Sequence, residues 1–181
     1  MLLGDSGAGK STFSRKLEFD LWRSYKNKTG RIPLYINLPA IDQPEVDMIA
    51  KQLRKDGFTE PQIREMKRYR KFVLICDGYE KSQQKHNLYM SNRLNQEGEW
   101  DAQMVISCHS EYLGSDYRDQ FQPGDHNDQQ DSPLFQQAVI TPFSIPQIHD
   151  YIKQYEDDKS AAEDDVETEP GSWSSVLSIS V

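Results

Sequence analysis

The chain is short of most features that would mark a specialised class. Only two of its 181 residues are cysteine, and each lies in an apolar run, Leu74-Ile75-Cys76 and Val105-Ile106-Ser107-Cys108. Thiols placed this way are expected to be buried and free, not part of a disulfide framework. No apolar run approaches the roughly 20 residues of a membrane span, and no basic, apolar leader opens the chain. No membrane association and residence in the cytoplasm follow as expectations. Basic residues are also scarce, 21 against 29 acids, for a net charge of −8. The imbalance is local, because residues 156–169 hold eight acids against Lys159 alone and leave the preceding residues nearly neutral. A balanced body offers no basic face for neutralising nucleic-acid phosphates, so nucleic acid is excluded as a partner. Asn27-Lys28-Thr29 fits a glycosylation acceptor, but without an export signal the match is coincidental. No internal repeat is present.

At this length the sequence predicts one domain with its own core, residues 1–155. The acidic run and the Ser-rich ending, residues 156–181, are predicted to be a disordered tail.

What the chain does have lies at its start. Gly4-Asp5-Ser6-Gly7-Ala8-Gly9-Lys10-Ser11, followed by Thr12, places glycine, four residues, then Gly-Lys-Ser between the apolar Met1-Leu2-Leu3 and a helix-patterned segment. Glycines at these positions let the backbone curl until successive N–H groups point at phosphate oxygens, and the following helix adds the partial charge of its first turn. Lys10 is placed to reach the β- and γ-phosphates and Ser11 to ligate Mg²⁺. ATP or ADP with Mg²⁺ is therefore the expected ligand.

Apolar spacing at Phe13, Leu17, Leu21, Trp22 and Tyr25 predicts a helix over 11–25. Strands are expected at 31–38, 72–77, 102–108 and 138–141. Between them, Val46, Ile49, Ala50 and Leu53 mark one helix, Thr59 and Pro61 open a second over about 60–70, and Ile145, Ile148, Ile152 and Tyr155 mark a last one. Residues 83–100 suggest helix and loop, and 111–133 a loop or short helix followed by a mobile stretch. Strands alternating with helices predict an α/β fold, a three-layer sandwich around a mainly parallel five-stranded sheet of P-loop NTPase type, with ligands bound beyond the carboxyl ends of the strands.

Asp77 ends the most apolar of these strands. A carboxylate at the end of a strand neighbouring the loop can hold Mg²⁺ across from Ser11. Glu80, three residues on, can turn to the γ-phosphate as the base that positions a water. His109, just past the fourth strand, can contact phosphate. Asn27-Lys28-Thr29-Gly30 is not a guanine-reading motif, since it lacks the aspartate and follows the loop too closely, which leaves adenine by elimination.

With these residues in place, the chain resembles the NACHT-type, STAND-class P-loop NTPases, the nucleotide switches of innate-immune and fungal incompatibility proteins. The features that carry the likeness over Leu2 to Tyr155 are the loop, Asp77-Gly78-Tyr79-Glu80, the Ile106-Ser107-Cys108 strand and Thr141-Pro142-Phe143-Ser144. The wording of 31–38 and 121–141 is closest to fungal members. The sequence departs from the pattern twice, with Lys81 where the family has a second acid and His109 where it has a sensor arginine. An ammonium cannot accept a proton from water, and neutral imidazole stabilises less charge than guanidinium. The resemblance thus implies ATP binding by a signalling switch with hydrolysis slow or lost. It also implies flanking domains that are missing from this sequence, so that the chain reads as a fragment, and protein partners or self-association would act through those domains. Two other functions stay open, a small P-loop phosphotransferase and a non-catalytic interaction module.

Overall fold

The computed structural model describes residues 1–26, 30–82, 85–115, 117–123, 135–153 and 179–180. The strands are β1 (Leu2–Gly4), β2 (Ile32–Asn37), β3 (Lys71–Asp77), β4 (Asp101–His109), β5 (Ala138–Ile140) and β6 (Ile179–Ser180). Between them stand α1 (Lys10–Ser24), α2 (Met48–Lys55), α3 (Glu60–Tyr69), α4 (Leu88–Ser91) and α5 (Tyr117–Phe121), and residues 145–153 form helix α6.

The sheet order is β2-β3-β4-β1-β5-β6, with the first five strands parallel and β6 antiparallel to β5. The predicted α/β fold with a five-stranded parallel sheet is therefore present. One detail differs: the strand that ends in Asp77 is not the neighbour of β1, because β4 lies between them. Strand order is set by the long-range packing of crossovers, and no local pattern carries it. Right-handed crossovers place α1 on one face and α2 to α5 on the other, since the β1-to-β2 connection runs across the sheet opposite to the rest.

The core is built from both layers. Phe72, Leu74 and Cys76 of β3 and Leu34 and Ile36 of β2 bury against Met48, Ile49 and Leu53 of α2, Ile63 of α3 and Leu88 of α4. The Trp100 ring meets Phe72 edge-on at 5.5 Å between centroids, and its indole N–H donates to Asp47 Oδ1 at 2.9 Å. Buried Asn92 ties the loop before α2 to α4, accepting from the Met48 amide at 2.8 Å and donating to the carbonyls of Pro44 and Leu88.

Local chemistry sets most of the helix ends. Gln62 Oε1 accepts from both the amide and the hydroxyl of Thr59, closing the first turn of α3. Helix α2 begins later than the pattern suggests: Asp47 is its cap, with φ 46° and a bond from the Ala50 amide, and Val46 is left outside and 54 % exposed. The helix expected within 83–100 shrinks to the single turn of α4. In α6 the predicted apolar face is present but uncovered among the described residues, with Ile145, Ile148 and Ile152 all exposed. The mobile stretch expected near 133 and nearly all of the acidic tail lie outside the described residues. At the far end of the tail, Ile179 and Ser180 pair with Ile140 and Val139.

Candidate functional site

The loop between β1 and α1 lies at the carboxyl end of the sheet. Gly4 ends β1 in register with His109, the last residue of β4. Asp5, Ser6 and Gly7 are exposed, Ala8 and Gly9 partly so, and Ser11 and Thr12 stand exposed in the first turn of α1. Gly9 adopts φ 95°, ψ 15° as it enters the helix, a backbone form that other residues reach only with strain. Lys10 is buried, 9 % exposed. Its Nζ donates to the carbonyls of Gly4 at 2.7 Å and Asp5 at 2.9 Å, so the ammonium is held inside the curl of the loop.

Asp77, 7 % exposed at the end of β3, faces this loop across β4. Ser107 of β4 donates its hydroxyl to Asp77 Oδ1 at 2.5 Å and accepts from the Gly78 amide at 3.1 Å. Tyr35 of β2 donates to Asp77 Oδ2 at 3.0 Å. Burial pushes the Asp77 carboxyl up, but the hydroxyls of Ser107, Ser11 and Tyr35 and the ammonium of Lys81 outweigh it and hold the group below its ordinary value. The carboxylate is thus ionised, with the Ser11 hydroxyl of the loop among the groups that favour its charge. Tyr35 shows the reverse effect: burial and the bond to Asp77 push its hydroxyl up to about 12, so it stays a donor. The Tyr35 ring lies under the Arg15 guanidinium, 3.4 Å from its centroid.

Glu80 lies in a 3-10 turn, Tyr79–Ser82, fixed by the fully buried Tyr79. The Tyr79 ring packs edge-on against Phe121 at 4.6 Å, and its hydroxyl donates to the His86 carbonyl at 3.0 Å. Glu80 Oε2 is buried without a hydrogen-bond partner among the described residues. Both Glu80 and Lys10 act on Cys108, whose thiol is pushed up to about 12 by burial first and the Glu80 charge second, with Lys10 opposing. Glu80 therefore lies within electrostatic reach of the same strand end as Lys10.

The predicted residues Gly4 to Thr12, Asp77, Glu80 and His109 thus share one end of the sheet. Tyr35, Ser107 and Arg15 join the site through contacts that the sequence motifs do not mark. A cavity of about 710 Å³ lies off this site, along the open edge of β2 between α1 and the α2–α3 layer, and meets it at Tyr35 and Arg15.

Set beside known families, the NACHT domain model matches residues 1–159. The chain belongs to the NACHT family. It is accordingly a nucleotide-binding P-loop NTPase domain, as the resemblance implied. No curated protein and no solved structure gives a significant match. Among the described residues no helix is long and apolar enough to cross a membrane.

The donor set suits a magnesium nucleotide. Mg²⁺ takes one or two protein oxygens and fills its remaining positions with phosphate oxygens and water. Ser11 supplies one hydroxyl and Asp77 one ionised carboxylate at the same end of the sheet, and Glu80 Oε2, in the turn after Asp77, is a buried acceptor without a partner among the described residues.

Proposed function

We propose that this NACHT domain holds ATP or ADP as its magnesium complex in the loop Gly4 to Thr12, as the nucleotide-sensing part of a signalling switch whose hydrolysis is slow or lost. The observation that supports the reading is a loop whose lysine is turned onto its own carbonyls, at the same end of the parallel sheet as the buried carboxylate of Asp77.

Lys10 exchanges the carbonyls of Gly4 and Asp5 for β- and γ-phosphate oxygens, gaining an ion pair in place of bonds to two neutral acceptors. The amides of the loop and the first turn of α1 donate to the remaining oxygens. Ser11 and Asp77 would hold the metal, which would supply charge neutralisation to the phosphates. Glu80 Oε2 accepts a hydrogen bond from a water near the γ-phosphate. His109, level with Gly4 in the ladder, is a phosphate contact. Lys81, beside the site, adds positive charge where an acid would have helped to take up a proton, which is the reason turnover is slow. In a longer relative, nucleotide would shift a closed-to-open equilibrium only as far as it prefers one state.

The test is equilibrium binding of a fluorescent ATP analogue with Mg²⁺ to the wild type and to Lys10→Ala. A loss of roughly tenfold to a hundredfold is expected, the value of a hydrogen bond to a charged group. Equal affinity in the two proteins would exclude a working phosphate loop.

A further inference from the structure

The Asp77 carboxylate is pinned from both sides of its strand, one hydroxyl to each oxygen. Ser107 reaches Oδ1 from β4, and Tyr35 reaches Oδ2 from β2. A carboxylate held at one oxygen can still swing about its Cβ–Cγ bond, whereas one held at both has its plane fixed. Each oxygen has two lone pairs, so these bonds leave acceptor capacity free on both atoms.

Filling space does not account for the Tyr35 hydroxyl. Phenylalanine would occupy nearly the same volume, and the ring already has Arg15 stacked on it at 3.4 Å. Arg15 lies one helical turn beyond Ser11 on α1. Helix α1 therefore carries Ser11 on one turn and, on the next, the guanidinium that covers the ring whose hydroxyl holds Asp77. The position of the carboxylate is tied to the position of the loop through two side chains that lie outside the loop.

We propose that Tyr35 is a positioning residue of the magnesium-nucleotide site: its hydroxyl sets the plane of the Asp77 carboxylate for the divalent cation, and Arg15 keeps the ring in place. The proposal rests on the reading of Gly4 to Thr12 and Asp77 as that site. Tyr35 touches neither nucleotide nor metal, so its removal weakens the metal and leaves the metal-free nucleotide unaffected.

The experiment uses the full chain as wild type, Tyr35→Phe, Arg15→Ala and Lys10→Ala. Mn²⁺ is titrated in the presence of ATP and followed by its electron paramagnetic resonance signal, and a fluorescent ATP analogue is titrated in EDTA. Tyr35→Phe should weaken Mn²⁺ roughly tenfold, the usual result of losing a group that orients a metal ligand, with affinity in EDTA unchanged. Arg15→Ala alters an exposed residue and so keeps the test open if Tyr35→Phe does not fold. It should weaken Mn²⁺ about two- to fivefold, the scale of a cation–π contact. Unchanged Mn²⁺ affinity, or equal weakening in both titrations, would overturn the proposal, because the ring would then act only by packing. Lys10→Ala separates the two levels: if it binds nucleotide like the wild type, the site itself has been misread. If it loses nucleotide while Tyr35→Phe keeps its metal, this proposal alone falls.

Discussion

Ser107 and Asp77 share a 2.5 Å hydrogen bond between adjacent strands, and the same Ser107 oxygen accepts from the Gly78 amide. One hydroxyl thus satisfies a buried carboxylate and a buried amide together. Ser107→Ala removes both partners, and the cost should be about 2–3 kcal/mol, the scale for a hydrogen bond to a charged group. The loss also depends on pH. Asp77 is held below its ordinary value in the folded chain, so it contributes stability above the ordinary carboxylate range and loses it as pH falls through the folded-state value. With Ser107 gone the group rises back towards that range, and acid unfolding should begin at higher pH. Urea titrations of the two proteins at neutral and acid pH check both effects; a pH-independent difference would mean that the hydroxyl does not act through the carboxylate.

Asp101 carries the same sign at the other end of the sheet. Arg31 bonds to its Oδ1 at 2.6 Å and Lys71 approaches its Oδ2 at 3.1 Å, joining the starts of β2, β3 and β4. Burial raises the carboxyl but the two cations bring it below its ordinary value. The side chain is 40 % exposed, so solvent screening limits the contribution to about 0.5–1 kcal/mol at neutral pH. Asp101→Asn should lose that amount at pH 7. The difference from wild type should vanish as pH falls below about 4, where the unfolded chain takes up its protons and the folded carboxyl follows. Unfolding free energies from urea at pH 7 and pH 3 measure it.

The two cysteines provide a test of the core. Both are free and buried, and burial first pushes each thiol up to about 12. At pH 8 almost no thiolate is present and neither sulfur is open to solvent, so a disulfide reagent should react with both residues only at the rate of unfolding. Two fast-reacting thiols are expected in urea and none in the native protein. A fast native thiol would contradict the packing of β3 against β4.

Much of this site could be read from the order of residues, because the phosphate loop is a local motif and Asp77 ends a run that only an interior strand can bury. Glu80 follows from Asp77 by short spacing. The strand order could not be read, since the placement of β4 between β1 and β3 depends on crossovers that join distant parts of the chain. Ser107 did leave a signal: a hydroxyl inside Val-Ile-Ser-Cys, a run bound for the interior, must find a partner there. Tyr35 left a weaker one, a polar tip on an apolar strand, and its partner lies 42 residues away in sequence. Arg15 left none, because its contact with the Tyr35 ring depends on how α1 lies across β2. The spacing of Val46 places it in α2, but the Asp47 cap starts the helix at Met48, two residues later, and leaves Val46 in solvent.

Lys81 and His109 stand where the resemblance implies an acid and an arginine. Lys81 lies in the turn that carries Glu80, and its charge is one of the influences lowering Asp77. His109 is level with Gly4 at the mouth of the loop. An ammonium at the first position cannot take a proton from an attacking water, and an imidazole at the second lacks the planar, multiply donating fork by which a guanidinium would stabilise charge on the γ-phosphate. Replacing both, Lys81→Glu with His109→Arg, should raise ATP turnover about a hundredfold or more, the lower end of what general bases and charge-stabilising groups contribute. Phosphate release under saturating Mg²⁺-ATP measures the rate, and the single variants divide the gain between proton acceptance and charge stabilisation. Binding should change less than turnover, because Lys10 and the loop amides are untouched. A double variant that binds nucleotide like the wild type and releases phosphate no faster would show that neither position faces the γ-phosphate.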